Sequence, residues 1–557
     1  MKYRKTSLSV FPLQGKPRAE DTAATNTTAT IQEKEPSMSQ LRLFRLRRRS
    51  AFIWAAVIFL LLFFRWLGAA HTDLHPQRPN LGTERAPDGT LVNDEPLSCA
   101  NLKYLKTKTY GLSQKIRFQR RTIRAAQTAP VDRFAVDHVS EPLVGRGIEL
   151  NLNDPCDGWI ESGSKPVTLG VSHSYPNATF SELIFGLATS FDRLEPAIRH
   201  FAHWLGDTEA QLVIAVVDAD KHYGEFDSLL EKFYKYNIKV HLIEPWQGAI
   251  GANREHFTVI RSILYYTKPE TRWIGLVDDD TFFPSLYPVS QMLAEHDHTV
   301  PAYLGALSES AMAIDEHGIL GFGGAGVFLS LPLAEQLDLL IEECLEASDS
   351  EQGDGLLNFC ITRKTKTGFT QIQGLYQMDL MGGELGGFYE SGRLPLSLHH
   401  WKSWHKAPVL EMASVTNYCG DCFLQRWKFS NDTVFTNGYS IAVYEDGTDR
   451  LNLKATEGTW KNPQDFAWSL GPMREKVTNK KTFHLIDTQD IGVGLRQLYI
   501  HRVGSFKTTE AGRDRDPEPG HKLEMPSEPW MRDEVVELIW EWEALRQGGS
   551  FWSFFGS

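Results

Sequence analysis

Four short β-branched runs, residues 167–171, 212–217, 238–243 and 273–277, alternate with helix-like stretches. That alternation restricts the middle of the chain to βαβ units and a mostly parallel sheet. The last run stops abruptly, with Trp273-Ile-Gly-Leu-Val followed by Asp278-Asp279-Asp280-Thr-Phe-Phe283. Acids at the C-terminal end of a strand lie where open α/β sheets bind ligands, and strand alternation turns Asp278 and Asp280 to the same side. Two such carboxylates suit a hard divalent cation, Mn²⁺ or Mg²⁺, that in turn grips a diphosphate. A solvated acidic turn before a helix at Ser285 is the competing reading. The second run also ends in acids, Asp218-Ala-Asp220, and Asp218 suits a ribose or uracil contact as well as plain loop solvation. Between the first two runs, Leu183, Leu187, Phe191, Leu194, Ile198, Phe201 and Leu205 recur at three- and four-residue steps, which predicts one amphipathic core helix.

An apolar run from Ala51, interrupted only by Arg65 near its end, reaches Ala70. At about 1.5 Å per residue this just crosses a bilayer core of about 30 Å, and Trp54 and Trp66 fall near its ends as interfacial aromatics do. Arg42, Arg45, Arg47, Arg48 and Arg49 precede it, so the expected topology is single-pass type II, with the N-terminus cytoplasmic and residues after Ala70 luminal. A cleaved signal peptide fits poorly, because 50 residues precede the run.

The net charge of −12 (58 Lys and Arg, 70 Asp and Glu) divides across this span. Residues 1–50 hold 11 basic and 4 acidic residues, or +7, which leaves −19 for the remainder. So acidic a remainder argues against nucleic acid as a partner. All six cysteines, Cys99, Cys156, Cys344, Cys360, Cys419 and Cys422, follow the span, which favours disulfides over metal ligands. Asn177-Ala-Thr179 and Asn431-Asp-Thr433 are glycosylation acceptors in such a compartment.

The expected organisation is a cytoplasmic tail (1–50), an anchor (51–70), a stem without sustained periodicity (71–160), an α/β domain (161–408), a small β-rich appendage (409–505) and a charged tail (506–557). The tail carries one short helix candidate at 533–545.

Five motifs run in order through the α/β domain: Asp278-Asp-Asp-Thr-Phe-Phe283, Gly321-Phe-Gly-Gly-Ala-Gly-Val-Phe-Leu-Ser330, Gly353-Asp354 between Cys344 and Cys360, Tyr376-Gln-Met-Asp379, and Leu396-Ser-Leu-His399-His400-Trp401. In this order they resemble the Fringe-like members of glycosyltransferase family 31, most closely the plant and fungal branch. The resemblance covers residues 166–401, with a continuation near 422–444. It implies a GT-A fold, a nucleotide-sugar donor (most often a UDP-sugar), Mn²⁺ dependence, inversion at the anomeric carbon, a glycan or glycoprotein acceptor and a Golgi membrane location. The class implied is a hexosyl- or N-acetylhexosaminyltransferase of β-1,3 type. By position, Asp278 lies near ribose and metal with Asp279 beside it, Asp280 is the main carboxylate ligand, and His399 or His400 completes the metal set, with His399 preferred. Asp354 matches the catalytic base, and a Cys344–Cys360 bond would hold its loop.

The residue types suit that chemistry. Inverting transfer is a single displacement that needs one carboxylate base, and the leaving diphosphate needs a countercharge. The Gly321–Gly326 run lacks a phosphate-loop ending and is open between a tight turn and a close approach to ligand. Trp401, Trp404 and His405 suit either sugar stacking or core packing. Two rival classes remain: a hydrolase pairing Asp354 with Glu384 or Glu390, and a catalytically silent glycan-binding or partner module.

Overall fold

The computed structural model describes residues 97–106, 110–128, 132–153, 159–160, 165–246, 251–492, 494–502 and 532–542. The chain divides into two units, Met1–Gly89 and Thr90–Ser557, and every described residue belongs to the second. The predicted cytoplasmic tail and the 51–70 span lie outside the described residues. Among the described residues no helix is long and apolar enough to cross a membrane.

Two large sheets make up the fold. A seven-stranded sheet has the order Phe369–Gln371, Tyr303–Gly305, Val327–Ser330, Trp273–Leu276, Leu183–Thr189, Gln211–Val216, Lys239–Ile243. The last four are mutually parallel, and Val327–Ser330 runs antiparallel to its neighbours. Helices Ala252–Tyr265, Leu331–Ala347 and Gly353–Lys364 pack through Phe257, Ile260, Leu337 and Leu356 on one face, against Ile184, Val213 and Ile274. Helix Leu194–Leu205 covers the other face through Phe201 and Trp204 against Phe185 and Leu212. This is the mixed α/β sheet that the sequence predicts, with two strand assignments corrected. Leu183–Thr189 is a strand, not the start of the core helix, which spans only Leu194–Leu205. A parallel strand buried on both faces is a continuous apolar run, so its residues also satisfy a helical spacing. Val167–Val171 is a strand as expected, but it joins the other sheet.

That second sheet has ten strands and gathers distant segments. Asp137–Pro142, Arg426–Ser430, Thr433–Thr436, Ser440–Tyr444, Lys480–Asp490, Gly494–His501, Asp533–Trp542, Lys115–Gln127 and Ile148–Asn151 follow in order, and Val167–Val171 also pairs with Lys115–Gln127. The predicted 71–160 stem is therefore corrected, since its second half supplies three strands of a folded domain. The tail's helix candidate at 533–545 is corrected as well, because Asp533–Trp542 is a strand parallel to Lys115–Gln127 over ten residue pairs. Val535, Leu538, Ile539 and Trp542 fit a helical stripe. The β-branched and aromatic content and an awaiting partner strand decide for β. The predicted appendage at 409–505 is part of this sheet: apart from a small cluster of its own around Val434, Ala442 and Tyr444, its Trp427 and Phe435 share one buried cluster with Trp540 and with Phe185 of the other sheet.

Candidate active site

The parallel strands deliver Thr189, Val216 and Val277 to one edge of the seven-stranded sheet. Beyond Val277 the chain leaves the sheet, and the Thr281 hydroxyl accepts from the Asp278 amide and donates to the Gly324 carbonyl. Phe282 and Leu398 then exchange backbone hydrogen bonds of 2.9 and 2.8 Å, which brings the acids alongside the His399 segment. The Trp401 indole N–H donates to the Asp280 carbonyl at 2.6 Å, so Trp401 braces the site, and its ring makes T-shaped contacts with His200 and Phe282.

His399 is buried and its Nε2 sits 3.0 Å from Asp280 Oδ1 and 3.3 Å from Asp278 Oδ2. Burial disfavours the imidazolium, but hydrogen bonds and charge from Asp278 and Asp280 outweigh it and lift His399 to about 10. Burial likewise raises Asp278, and His399 outweighs it, bringing the carboxyl down to about 2. Asp280, His399 and His400 each offer a ligand atom, all within 4.8 Å of one another. The 3.0 Å separation is close to the edge of an octahedron with bonds of about 2.1 Å, and the mixed O and N donors suit a borderline-hard divalent ion, so the residues fit such a metal. Both members of the histidine pair are therefore near the cluster. Only His399 contacts Asp278 and Asp280 directly, while His400 Nε2 faces Asp379 at 3.4 Å and its ring stacks on Trp404.

The glycine run explains its own composition. A Cβ on Gly324 would overlap the His399 ring, and one on Gly323 would stand 2.6 Å from both Asp354 Oδ1 and His256 Nε2. The turn passes directly over the cluster, and only glycine fits.

Asp354 lies in the first turn of Gly353–Lys364, and the Cys344–Cys360 disulfide ties that helix to Leu331–Ala347. Cys419 and Cys422 are also bonded to each other. Asp279 carries a buried carboxylate that accepts from Thr189 Oγ1 and Arg193 at 2.5 Å each and orders the Ser190–Arg193 turn. Asp218 does the same from the next strand, accepting from the Phe191 amide at 2.8 Å, with His222 3.7 Å away. It stays partly exposed at the same sheet edge. Glu390 is buried and committed to Ser440 and Lys480, whereas Glu384 is half-exposed with Lys476 at 3.8 Å, so of the two acids the hydrolase reading would use, Glu390 is not free. Asn177 and Asn431 are both exposed. His405 contacts the Met378 carbonyl, and Trp404 keeps about half its surface open.

His256 was absent from the sequence motifs. Its signal lies in helical periodicity: it occupies the core-facing stripe of Ala252–Tyr265 with Val259, Ile260 and Ile263, where an apolar residue is expected.

Fold and cluster together define an α/β protein with an acid–histidine site at the carboxyl edge of a parallel sheet. A family model described as "Protein of unknown function, DUF604" matches residues 317–415, which include the glycine run, Asp354 and the histidine pair. No curated protein matches the chain. Similar solved structures include mouse xyloside xylosyltransferase 1 in its apo form (12% identity, 33% of this chain and 76% of that one, TM-score 0.21). The glycosyltransferase GlyE of Streptococcus pneumoniae TIGR4 (14%, 42% and 59%, 0.27) is another. A third is the mannosyltransferase PcManGT of Pyrobaculum calidifontis in complex with GDP-Man and Mn²⁺ (11%, 38% and 60%, 0.24). The chain thus spans about three fifths of the latter two, and scores this low carry no argument about activity.

Proposed function

We propose that the chain is a metal-dependent, inverting glycosyltransferase that moves a sugar from a UDP-sugar to a hydroxyl of a glycan or glycoprotein. The observation that carries this reading is the convergence of Asp278, Asp280 and His399 within 3.3 Å at the carboxyl edge of the parallel strands, with Asp354 on the far side of His256. The ordered motifs of the Fringe-like resemblance support it. A type II Golgi anchor at 51–70 belongs to the same reading.

In this mechanism the acceptor O–H gives its proton to Asp354 as the oxygen attacks C1 of the donor sugar. The bond from C1 to the phosphate oxygen breaks, its electron pair leaves with UDP, and the anomeric centre inverts. Mn²⁺ or Mg²⁺ held by Asp280, His399 and a further ligand from Asp278 or His400 would neutralise diphosphate charge. Asp279, through Arg193 and Thr189, and Asp218, through the Phe191 amide, shape the turn that borders the donor edge.

The test is a panel of UDP-sugars offered to the detergent-purified chain with Mn²⁺. UDP release that needs metal and disappears in Asp280→Ala is expected. Oligosaccharide cleavage indifferent to chelation would establish the hydrolase instead. Donor binding without turnover, together with cellular function unchanged in Asp354→Asn, would establish the silent module.

A further inference from the structure

His256 sits where two elements of the site meet. Its helix, Ala252–Tyr265, packs against Gly353–Lys364, and a Cβ on Gly353 would collide with the Asn253 carbonyl and press on His256. The approach is therefore closest where Asp354 emerges. The His256 ring is buried, with Nε2 3.4 Å from Asp354 Oδ1 and Nδ1 3.8 Å from Asp278 Oδ1. Gly323 passes over the Nε2 side, at the junction of the two side chains. Among the described residues Nε2 has no fully formed hydrogen bond, and leaving a buried polar atom so is costly. Phenylalanine or leucine would fill the same stripe without that cost, so packing alone does not account for an imidazole wedged between two carboxylates.

We propose that His256 is a positioning residue for Asp354: its Nε2–H holds Oδ1 of the base and fixes that carboxylate at a set distance from Asp278, leaving the second oxygen for the acceptor hydroxyl. The inference rests on Asp354 being the base, as proposed above. It deepens that reading by giving the base a partner on the donor side. A long contact in the free protein is the expected starting geometry, since catalytic hydrogen bonds shorten when substrates close the site.

The experiment compares His256→Phe, His256→Gln, Asp354→Asn and the double variant His256→Phe/Asp354→Asn in the full chain, with UDP and Mn²⁺ binding measured by calorimetry. His256→Phe, which keeps the volume, should lower kcat about 10- to 100-fold, with donor KM and UDP affinity within about 2-fold of wild type. His256→Gln, whose amide nitrogen can donate from a similar position, should recover most of the rate. The double variant should be no slower than Asp354→Asn alone, because the histidine acts through the aspartate. Wild-type kcat in His256→Phe, a matching loss of UDP affinity, or additive losses in the double variant would overturn the inference while leaving the transferase reading intact. An active Asp354→Asn would instead bring down the assignment of the base and this inference with it.

Discussion

The two sheets treat charge in opposite ways. At the ten-stranded sheet, buried acids are matched by strong bases: Lys480 of that sheet lies 3.0 Å from both Glu390 and Glu457, which come from segments beside it, and Arg474 adds a 2.5 Å contact to Glu457. Along its Lys115–Gln127 and Asp533–Trp542 strands, Arg117, Arg120 and Arg124 stand in direct register with Glu534, Glu537 and Glu541, and each pair makes an ion contact. At the edge of the seven-stranded sheet, the ion contacts of Asp278, Asp280 and Asp354 among the described residues are to imidazoles. Acids paired with Lys or Arg are complete in the free protein, whereas acids facing only histidine retain the capacity to hold a cation. Substitutions in the first group should therefore act on folding and spare the chemistry, and those in the second should do the reverse.

The largest effect should come from removing the strand that links the early and late segments. A chain shortened to begin at Pro166 loses Lys115–Gln127, and with it the partner of all ten residues of Asp533–Trp542. Trp540 and Leu538 would then lose their cover. We expect this fragment to be insoluble or molten, and a chain beginning at Thr90 to fold. Gel filtration and thermal melting decide it: a monodisperse, cooperatively melting 166–557 fragment would show that the second sheet does not depend on the early strand.

Sequence reasoning would design that failing truncation, and the reason is physical. Strands 183–371 form a local series, so the alternation of runs and the acids ending Trp273–Leu276 expose both the sheet and its ligand edge. Lys115–Gln127 has Arg117, Arg120, Arg121 and Arg124 among its residues, and its apolar alternation, Ile116 and Phe118 then Ile123 and Ala125, is broken in the middle by arginines. Its β structure depends on glutamates more than 400 residues away, a non-local pairing that one segment cannot announce. The site divides in the same way. Asp278, Asp280, His399 and Asp354 could be picked out because motifs carry them, and they lie together in the structure. His256 was hidden because one histidine within an apolar stripe reads as packing, and the pairing of Asp279 with Arg193 depends on a turn after the neighbouring parallel strand, 86 residues earlier in the chain.

The next effect sharpens the charge comparison itself. Lys480→Met leaves Glu390 and Glu457 buried with one strong base fewer, and breaking a buried pair in this way costs about 3–5 kcal/mol. Transfer per folded molecule should be unchanged. Burial raises the Glu390 carboxyl, but Lys480 outweighs it and holds the group below its ordinary value. A depressed carboxyl contributes stability that is complete above its unfolded pKa of about 4.3 and is lost as pH falls through the lower folded value. The gap between wild type and Lys480→Met, followed by urea denaturation, should therefore narrow in acid. A gap that widens in acid would contradict this role for the pair.

On the other side of the comparison, Gly324→Ala should disturb function more than stability, the overpacking costing about 1–3 kcal/mol. The added methyl would displace the His399 ring, and misplacing a ligand's support costs about 10- to 100-fold in metal affinity. Isothermal titration with Mn²⁺ reads this directly. Unchanged affinity would mean either that the ring shifts freely or that His399 does not bind the ion.

The smallest effect tests whether even the paired sheet is uniform. Arg117 is about half exposed, its contact with Glu534 is 3.7 Å, and Lys481 already meets Glu534 at 2.5 Å. Arg117→Ala therefore leaves no acid orphaned, and an exposed pair of this kind contributes about 0.2–1 kcal/mol. Arg120 differs because its partner Glu537 is fully buried, so Arg120→Ala should cost several times more. Salt separates the two. Raising ionic strength to about 1 M shortens the screening length to about 3 Å and should erase most of the Arg117 effect while leaving the Arg120 effect largely in place. Equal and equally salt-sensitive losses at both positions would mean that register with arginine, rather than burial of the glutamate, is what makes this ladder hold.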